Sequence, residues 1–331
     1  MRTTKAARSS IRRGHKNIRE INLMNTNRTA FIAILGCPNV GKSSILNHLL
    51  GEKVAIVSPR PQTTRTRIMG VLTDGPCPRH GGRQLVFTDT PGLHRPRTKL
   101  GEHMMKAVKS GMDGVDACIF VAEAVGKDLR EEERAILRDL KRQGIPVILA
   151  LNKVDLMPNR DALAERILLY SSEAAFEAVA PCSAKTGRMM DELRGEIYAL
   201  VDRLDLDEGF FFPEDTLTDQ PERVIAAELL REQLLRRMDQ EIPHGTAVVT
   251  EKMREREGSG LLDIEATIFC ERENHKGMII GKGGEQLKKI STSARLEMER
   301  FFDCRVNLQC WVKVKEGWRD REGLIRNFGL D

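Results

Sequence analysis

Residues 30–46 read AFIAILGCPNVGKSSIL and combine three local signals in a fixed order. The apolar run 30–35 has the length of a buried β-strand, and an amphipathic run continues to Leu50. Between them, the spacing Gly-x-x-x-x-Gly-Lys-Ser predicts a phosphate-binding loop. Its glycines let main-chain N–H groups close around phosphates, Lys42 neutralises β/γ oxygens, and Ser43 offers a hydroxyl to Mg²⁺.

Two further motifs, NKVD at 152–155 and SAK at 183–185, concern the base of the nucleotide. Each follows an apolar run of strand length. The Asp155 carboxylate can accept both N1–H and the 2-amino group of guanine, which adenine cannot satisfy. The Lys153 stem can lie on the base, and the Ala184 N–H can meet guanine O6. In this order after the phosphate loop, the motifs predict GTP as the nucleotide.

The segments expected to sense the γ-phosphate lie between these motifs. A strand-like run ends in DTPG at 89–92, where Asp89 can hold Mg²⁺ through water and the Gly92 N–H can approach the γ-phosphate. This segment is the predicted second switch.

The polar stretch PRPQTTRTR at 59–67 is the predicted first switch. Thr63 or Thr64 could supply a second Mg²⁺-bound hydroxyl, and Thr64 is the favoured candidate. Alone, this stretch reads as a solvated loop. Its position between the phosphate loop and DTPG favours the switch.

Size and composition predict a soluble chain of two ordinary domains: 331 residues, 40% hydrophobic and 31% charged. The seven cysteines are scattered without a CxxC pair, so neither a zinc site nor a disulfide framework is expected, and a reducing cytoplasm fits. Cys77 and His80, in a Pro/Gly-rich insertion, have metal-like spacing but no second pair, which favours a plain loop. The net charge of +5 is compatible with a polyanionic partner without deciding the matter.

The first 28 residues carry eight basic side chains against one acid, Glu20. We expect this extension to be disordered and outside the fold. A basic RNA-binding arm and an over-extended start before Met24 are both favoured over an organelle transit peptide.

The second half of the chain begins after a predicted linker at 205–221. Helical periodicity follows over 222–241, then two strand-like runs, the loop Gly281-Lys282-Gly283-Gly284, a long helix and a final strand. Glycines at both ends of such a loop let the main chain approach nucleic-acid phosphates, while Lys282 and the following helix N-terminus add positive potential. Ile279 and Ile280 are expected to line an apolar groove for bases.

The motif set GCPNVGKSS, PQTTRTR, DTPGLH, NKVD and SAKTG resembles the GTPases of the Era, MnmE and Der type. The context of GKGG and the tail WVKVKEGWRD resemble the KH domain of the Era family, which the other two families lack at this position. The resemblance implies an α/β P-loop NTPase fold, a Ras-like G domain with a mostly parallel sheet, at 29–204. An α+β type II KH domain follows at 222–331.

The family implies GTP hydrolysis to GDP and phosphate, binding near the 3′ end of small-subunit ribosomal RNA, and a task in small-subunit assembly. It also implies a GTP-favoured domain arrangement and peripheral association with the inner face of the cell membrane from a cytoplasmic location. A monomer is expected. Two alternatives stay open: a GTPase whose C-terminal domain binds protein, and an RNA-binding scaffold that retains nucleotide without hydrolysis.

The predicted site residues fall into four sets. Nucleotide binding is assigned to Gly36, Pro38, Asn39, Val40, Gly41, Lys42, Ser43, Ser44, Asp89, Thr90, Pro91, Gly92, Asn152, Lys153, Asp155, Ser183, Ala184 and Lys185. Catalysis is assigned to Lys42, Asn39, Thr64 and Gly92, and Mg²⁺ to Ser43, Thr64 and Asp89. RNA binding is assigned to Ile279, Ile280, Gly281, Lys282, Gly283, Gly284, Lys288, Lys289, Lys313 and Lys315.

Leu93 stands where Ras-like proteins carry the glutamine that orients the attacking water, and a leucine cannot do so by hydrogen bonding. The family resemblance implies that Asn39 helps bind K⁺, which takes over the charge-stabilising role of an arginine finger. His94 as an alternative base is disfavoured, because a lone loop histidine is more often a bystander.

Overall fold

The computed structural model describes residues 26–75, 81–92, 96, 98–239 and 241–330. Most of the basic N-terminal extension, Cys77, His80, Leu93 and His94 lie outside this part of the chain, so the expectations for them remain predictions. Among the described residues, no helix combines the length and the apolar composition needed to span a bilayer.

The first unit is a six-stranded sheet with helices on both faces. Its strands are β1 (Arg28–Leu35), β2 (Ile68–Asp74), β3 (Arg83–Asp89), β4 (Ala117–Glu123), β5 (Val147–Asn152) and β6 (Ala178–Pro181). Its helices are α1 (Lys42–Leu50), α2 (Lys99–Ser110), α3 (Glu131–Gln143), α4 (Arg160–Glu173) and α5 (Met190–Val201). The strand order is β2-β3-β1-β4-β5-β6, and only β2 runs antiparallel to its neighbour.

The central strands are apolar on both sides because helices cover both faces of the sheet. Along β1, Ile32 and Ile34 enter one core cluster with α1 and α5, while Ala33 and Leu35 enter the other with α3 and α4. The carboxyl ends of the parallel strands therefore meet at one edge, which carries the predicted nucleotide motifs.

The second unit is a three-stranded sheet backed by helices. It consists of α6 (Glu222–Arg237), β7 (Ala247–Arg256), β8 (Leu261–Cys270), α7 (Glu273–Ile280), α8 (Glu285–Phe302), β9 (Arg305–Val314) and α9 (Glu322–Asn327). Strand β8 pairs antiparallel with β7 and parallel with β9. Helices α6, α7 and α8 cover one face of the sheet.

The predicted linker, residues 205–221, is packed along the first sheet. The Thr29 hydroxyl donates to the Gly209 carbonyl at 2.8 Å, and the Phe211 ring meets Phe31 edge-on with centroids 5.3 Å apart. Further along, the Val71 N–H donates to the Leu217 carbonyl at 2.9 Å. Residues 205–221 therefore pack against the first sheet and extend its β2 edge, and they do not form a free linker between the two units.

An apolar cluster joins the two units. Leu100 and Met104 of α2 pack with Phe269 of β8, and with Trp318 and Ile325 of the C-terminal segment. The Trp318 indole N–H donates to the Gly245 carbonyl at 2.9 Å. At this cluster the two units are therefore in packed contact.

Candidate nucleotide and RNA sites

The phosphate loop is closed around its own lysine. Lys42 Nζ donates to the carbonyls of Gly36 and Cys37 at 3.1 and 3.0 Å. Gly36 has φ of 150°, and a Cβ there would lie 2.2 Å from the Val121 carbonyl oxygen, so the turn requires glycine. Burial lowers the pKa of Lys42, although the charge of Asp89 opposes this shift.

Three predicted Mg²⁺ ligands converge beside this lysine. Ser43 Oγ donates to Asp89 Oδ2 at 2.6 Å and lies 2.9 Å from Thr64 Oγ1, which is 3.3 Å from the same Asp89 oxygen. Thr63 is directed elsewhere, since its hydroxyl donates to the Arg60 carbonyl at 2.7 Å. Of the two threonines, Thr64 is the one brought to this cluster.

The Asp89 carboxylate has an unused acceptor. Its Oδ1 is buried and has no hydrogen-bond partner in the described part of the chain. Burial raises the pKa of Asp89, and Lys42 and the two hydroxyl groups lower it in part. An oxygen-only set with one buried, unsatisfied carboxylate oxygen fits a hard cation such as Mg²⁺.

The second switch lies close against the phosphate loop. A Cβ at Gly92 would lie 2.6 Å from Pro38 Cα, so a larger residue would displace one of the two segments. Thr90 is fully buried, with its hydroxyl donating to the Ile34 carbonyl at 3.1 Å, and Pro91 is buried beside it. These contacts fix where the DTPG main chain meets the nucleotide cleft.

The predicted base-recognition motifs are tied to the phosphate loop by Asn152. Its Nδ2 donates to the Val40 carbonyl at 2.8 Å, and its Oδ1 accepts from the Ala184 N–H at 3.0 Å. Asp155 is exposed, and its Oδ1 accepts from the Ser183 hydroxyl at 2.6 Å. The Ala184 N–H already donates to Asn152 Oδ1. It can make the predicted contact with guanine O6 only by sharing its hydrogen between the two acceptors.

A large cleft of about 1380 Å³ runs along this edge. Its lining includes predicted nucleotide-site residues from all the motifs, namely Pro38, Asn39, Gly41, Lys42, Ser43, Ser44, Thr64, Gly92, Asn152, Lys153, Asp155, Ala184 and Lys185. Asn39 has φ of 66°, and its Nδ2 donates to the Pro59 carbonyl at 3.3 Å. This bond leaves the Asn39 side-chain oxygen available to a cation.

The second unit makes hydrogen bonds to the first switch. Sequence patterns did not indicate this contact. Arg231 of α6, 1% exposed, donates through Nη2 to the Thr63 carbonyl. Arg65 donates to the Thr246 carbonyl at 2.6 Å and the His244 carbonyl at 2.9 Å, and its guanidinium lies 5.7 Å from the Trp318 ring centroid. Burial is the main cause that lowers the pKa of Arg65 to about 9, which leaves it charged at neutral pH.

A buried carboxylate on the same helix makes further contacts with the first unit, just before the first switch. Glu232, 0% exposed, accepts from the Val57 N–H at 2.9 Å, from Lys53 at 2.6 Å and from Arg236 at 2.9 Å. Lys53 also donates to Glu297 of α8 at 3.0 Å. The sequence held one signal of these contacts, namely charged residues on an otherwise apolar face of α6. It does not reveal which residues they pair with.

The glycine loop between α7 and α8 has the geometry that its composition predicts. Gly281, Gly283 and Gly284 have φ of 75°, 60° and 81°, in the left-handed region that favours glycine. No heavy atom lies within 4 Å of a Cβ built at Gly283 or Gly284, so this side of the loop is open. Lys282 is exposed on it, as are Lys288 and Lys289 on the following helix.

One predicted groove residue is corrected by the structure. Ile279 is 0% exposed and packs in the core with Ile290 and Met298, so it cannot line an accessible groove. Ile280 is half-buried, and the neighbouring Met278, absent from the prediction, is 53% exposed. The error is one of helix phase, because an isoleucine pair before a loop does not reveal which member points inward.

Fold and site together define a P-loop GTPase with a C-terminal KH domain. Residues 31–153 match the family model described as "50S ribosome-binding GTPase", and residues 241–319 match the model described as "KH domain". The chain is 44% identical over 305 residues to GTPase Era of Clostridioides difficile (strain 630), covering 92% of this chain and 99% of that protein. It therefore belongs to the Era family of GTPases.

Solved structures agree with this membership. An Era variant from Aquifex aeolicus bound to GDP·AlF₄⁻ superposes with a TM-score of 0.82 at 36% identity, covering 92% of this chain and 99% of that one. The same values hold for Era in complex with MgGDPNP and nucleotides 1506–1542 of 16S ribosomal RNA.

Proposed function

We propose that this GTPase binds 16S ribosomal RNA near its 3′ end through the KH loop, under the control of GTP, and acts in assembly of the small ribosomal subunit. One observation carries the switch: α6 of the KH domain holds Thr63, the residue next to the proposed Mg²⁺ ligand Thr64. A nucleotide-dependent shift of the first switch cannot occur without stressing a contact to the RNA-binding domain.

In the proposed reaction, water attacks the γ-phosphorus of GTP and GDP leaves. Lys42 neutralises the β/γ oxygens, and the Gly92 N–H binds a γ-oxygen. Ser43, Thr64 and Asp89 would hold Mg²⁺, which when bound offsets the negative charge of the phosphates. Lys42 Nζ donates to two carbonyls of its own loop, and its third N–H group is left to meet a phosphate oxygen.

Guanine selection rests on the Asp155 carboxylate. Ser183 orients this group through its 2.6 Å hydrogen bond and leaves Oδ2 for the base. Adenine presents no matching pair of donors, so the carboxylate would lose solvent without gaining hydrogen bonds. This is the physical basis for preferring GTP over ATP.

K⁺ is the proposed activating cation, with Asn39 as one of its ligands. The Asn39 amide is held at the first switch by Pro59, so K⁺ would sit where the phosphate loop and that switch meet. There it would add positive charge beside the phosphates without a hydrogen-bonding side chain at position 93.

We also infer a monomer that works in the cytoplasm and associates peripherally with the inner face of the membrane. These properties follow from the family resemblance, and the RNA-binding test below is independent of them.

The RNA assignment is tested by Gly283→Asp, with and without Lys282→Asp. Gly114→Asp is the matched control, because Gly114 has a similar φ of 68° and equally open surroundings but lies in the G domain. We expect the loop variants to bind the 16S segment at least about 10-fold more weakly while GTP affinity stays unchanged. Equal RNA affinity of loop variant and control would favour the alternative of a protein-binding module.

A further inference from the structure

The lysines predicted to contact RNA do not all lie on the groove side of the KH sheet. Helices α7 and α8, with the glycine loop between them, pack against the face formed by Val306, Leu308, Cys310, Val312 and Val314. Lys313 alternates with these residues along β9 and stands in register with Phe269, which belongs to the opposite face. The expectation that Lys313 lies near the RNA backbone stays a prediction, but the residue is on the outer face of the sheet, away from the GKGG loop.

Part of the outer face is covered by the C-terminal segment. The Phe328 ring stacks on Phe269 with centroids 4.6 Å apart, and α9 contacts α2 of the G domain through His103 and Glu322 at 2.7 Å. The C-terminal segment covers the outer face as far as Thr267, which is 1% exposed and stands in register with Trp311 of β9. Beyond this row the sheet is open.

A polar strip with one aromatic ring follows the edge strand β9 on the outer face, from the open end of the sheet to a position beside the covered Phe269. Its members project from alternate positions, about 6.8 Å apart, and they are Arg305, Asn307, Gln309, Trp311 and Lys313. Trp311 is 43% exposed, and no other aromatic ring stacks on it in the described part of the chain. Within the same ranges, the Gln309 side chain makes no hydrogen bond, and neither Arg305 nor Lys313 forms a salt bridge.

The neighbouring strands leave the ends of this strip positive. On β7 and β8, Lys252 pairs with Glu265 at 3.1 Å and Arg256 pairs with Asp263 at 2.7 Å, around a depression of about 450 Å³. Arg254 lies 3.8 Å from Glu257. These opposite charges on β7 and β8 offset one another. The net charge of the outer face along β9 is therefore positive and comes from Arg305 and Lys313.

We infer that this outer face, centred on Trp311, is a second contact for single-stranded RNA, separate from the glycine-loop groove. An exposed indole offers a stacking surface to any base, side-chain amides can bond base edges, and terminal cations attract the phosphate backbone. A protein partner would need a larger apolar centre, whereas Trp311 is the one large exposed apolar side chain on the described part of this sheet. The inference rests on the proposed RNA-binding function and lengthens its footprint.

The test uses the full chain and two probes: the 16S segment 1506–1542 named for the Era complex, and an oligomer of about five nucleotides from its 3′ end. A KH loop clamps about four nucleotides, so the short probe occupies the groove alone. We expect Trp311→Ala to weaken binding of the long RNA about 5- to 150-fold, the effect of losing one stacked base. The short probe should bind within about twofold of wild type, and Trp311→Phe should restore most of the loss.

Leu168→Ala is the matched control, because Leu168 of α4 is an apolar side chain 69% exposed in the G domain. Fluorescence gives a second readout without mutation. The chain has two tryptophans and Trp318 is 0% exposed, so quenching by the long RNA reports on Trp311 and should vanish in Trp311→Phe.

Wild-type affinity of Trp311→Ala for the long RNA, together with no quenching in the wild-type chain, overturns the second contact. Failure of the groove proposal looks different. In that case the Gly283→Asp variant keeps full affinity for the short probe, whatever happens at Trp311.

Discussion

The guanidinium of Arg231, in the KH domain, donates a hydrogen bond to the main-chain carbonyl of Thr63 in the first switch of the G domain. Arg231 is almost completely buried, and its Nη1 has no partner within the described residues. The buried guanidinium thus joins the Thr63 carbonyl, beside the proposed Mg²⁺ ligand Thr64, to the Glu228 carboxylate, whose oxygens accept from it at 2.7 and 2.6 Å. The Glu228 carboxylate offsets part of the cost of burying this cation, and the bond to Thr63 suits a role in positioning the switch.

Arg231→Met should therefore disturb hydrolysis from outside the G domain. The Thr63 carbonyl loses its donor and the switch loses one anchor, so we expect GTP hydrolysis to change about 5-fold or more while GDP affinity stays near wild type. Arg138→Ala is the control, because it removes an exposed arginine whose one salt bridge within the described residues is to Glu131. Identical rates for all three proteins in single-turnover assays would contradict a positioning role.

Thr64→Ala and Thr63→Ala form a matched pair one residue apart. Only Thr64 lies beside Ser43 and Asp89, so its removal should weaken Mg²⁺ affinity in the GTP complex roughly 10- to 100-fold. Thr63→Ala removes a hydroxyl that bonds within the loop and should have a small effect. Titrating Mg²⁺ against hydrolysis rate decides between them, and equal losses would refute the assignment.

Asp155→Asn should lower GTP affinity at least roughly 100-fold, because two hydrogen bonds to a charged acceptor are lost. The new amide can donate to the additional carbonyl of xanthine, so affinity for xanthosine triphosphate should rise. Asp161→Asn, at an exposed position in the first turn of α4, serves as control. If the wild-type chain binds ATP as tightly as GTP in direct titration, the guanine-site assignment fails.

Hydrolysis should be faster in KCl than in NaCl at equal ionic strength. K⁺ can use the Asn39 side-chain oxygen, and the smaller Na⁺ fits the same ligands less well. Asn39→Ala should reduce the KCl rate to the NaCl rate and leave the NaCl rate nearly unchanged. Equal rates of the wild-type chain in the two salts would exclude the K⁺ proposal.

Stability without nucleotide and Mg²⁺ should depend on the protonation of Asp89. Burial raises its pKa above the ordinary value of 3.8, so the protonated form stabilises the fold below that pH, and this stabilisation is lost as pH rises through the raised pKa. Asp89→Asn mimics the neutral form. It should therefore melt at a higher temperature than wild type near pH 7, and the difference should disappear below about pH 4.

The matched comparison for this prediction is Asp139→Asn, which removes an exposed carboxylate of α3. Adding Mg²⁺ and GTP should raise the melting temperature of wild type and leave Asp89→Asn nearly unaffected. A lower melting temperature of Asp89→Asn at pH 7 in a chelator would show that attraction to Lys42 outweighs burial.

Most of the G-domain fold and of the nucleotide site could be predicted from local sequence motifs. The phosphate loop, DTPG and NKVD are contiguous segments at strand ends, so the rule for parallel sheets brings them together without knowledge of side-chain packing. For the first switch, Thr63 and Thr64 were both candidates and Thr64 was favoured, and the structure places Thr64 beside Ser43. By contrast, the partners of Arg231 and Arg65 depend on how two domains meet, and no periodicity within either domain encodes that.

The error at Ile279 and the outer-face position of Lys313 have the same origin. Ile279 and Ile280 differ by one helical step and point in different directions, while Lys313 and the neighbouring Val312 point to opposite faces of the strand. Only the three-dimensional register told which residue of each pair faces solvent.

The attachment of residues 205–221 to the edge of the first sheet bears on how this protein should be divided for biochemistry. A G-domain fragment ending at position 204 would uncover the Phe31 ring and leave the Val71 N–H at an open strand edge. Such a fragment invites edge-to-edge aggregation, and its hydrolysis rate would reflect a damaged domain. Cleavage after position 220 keeps the edge covered and is the better place to cut.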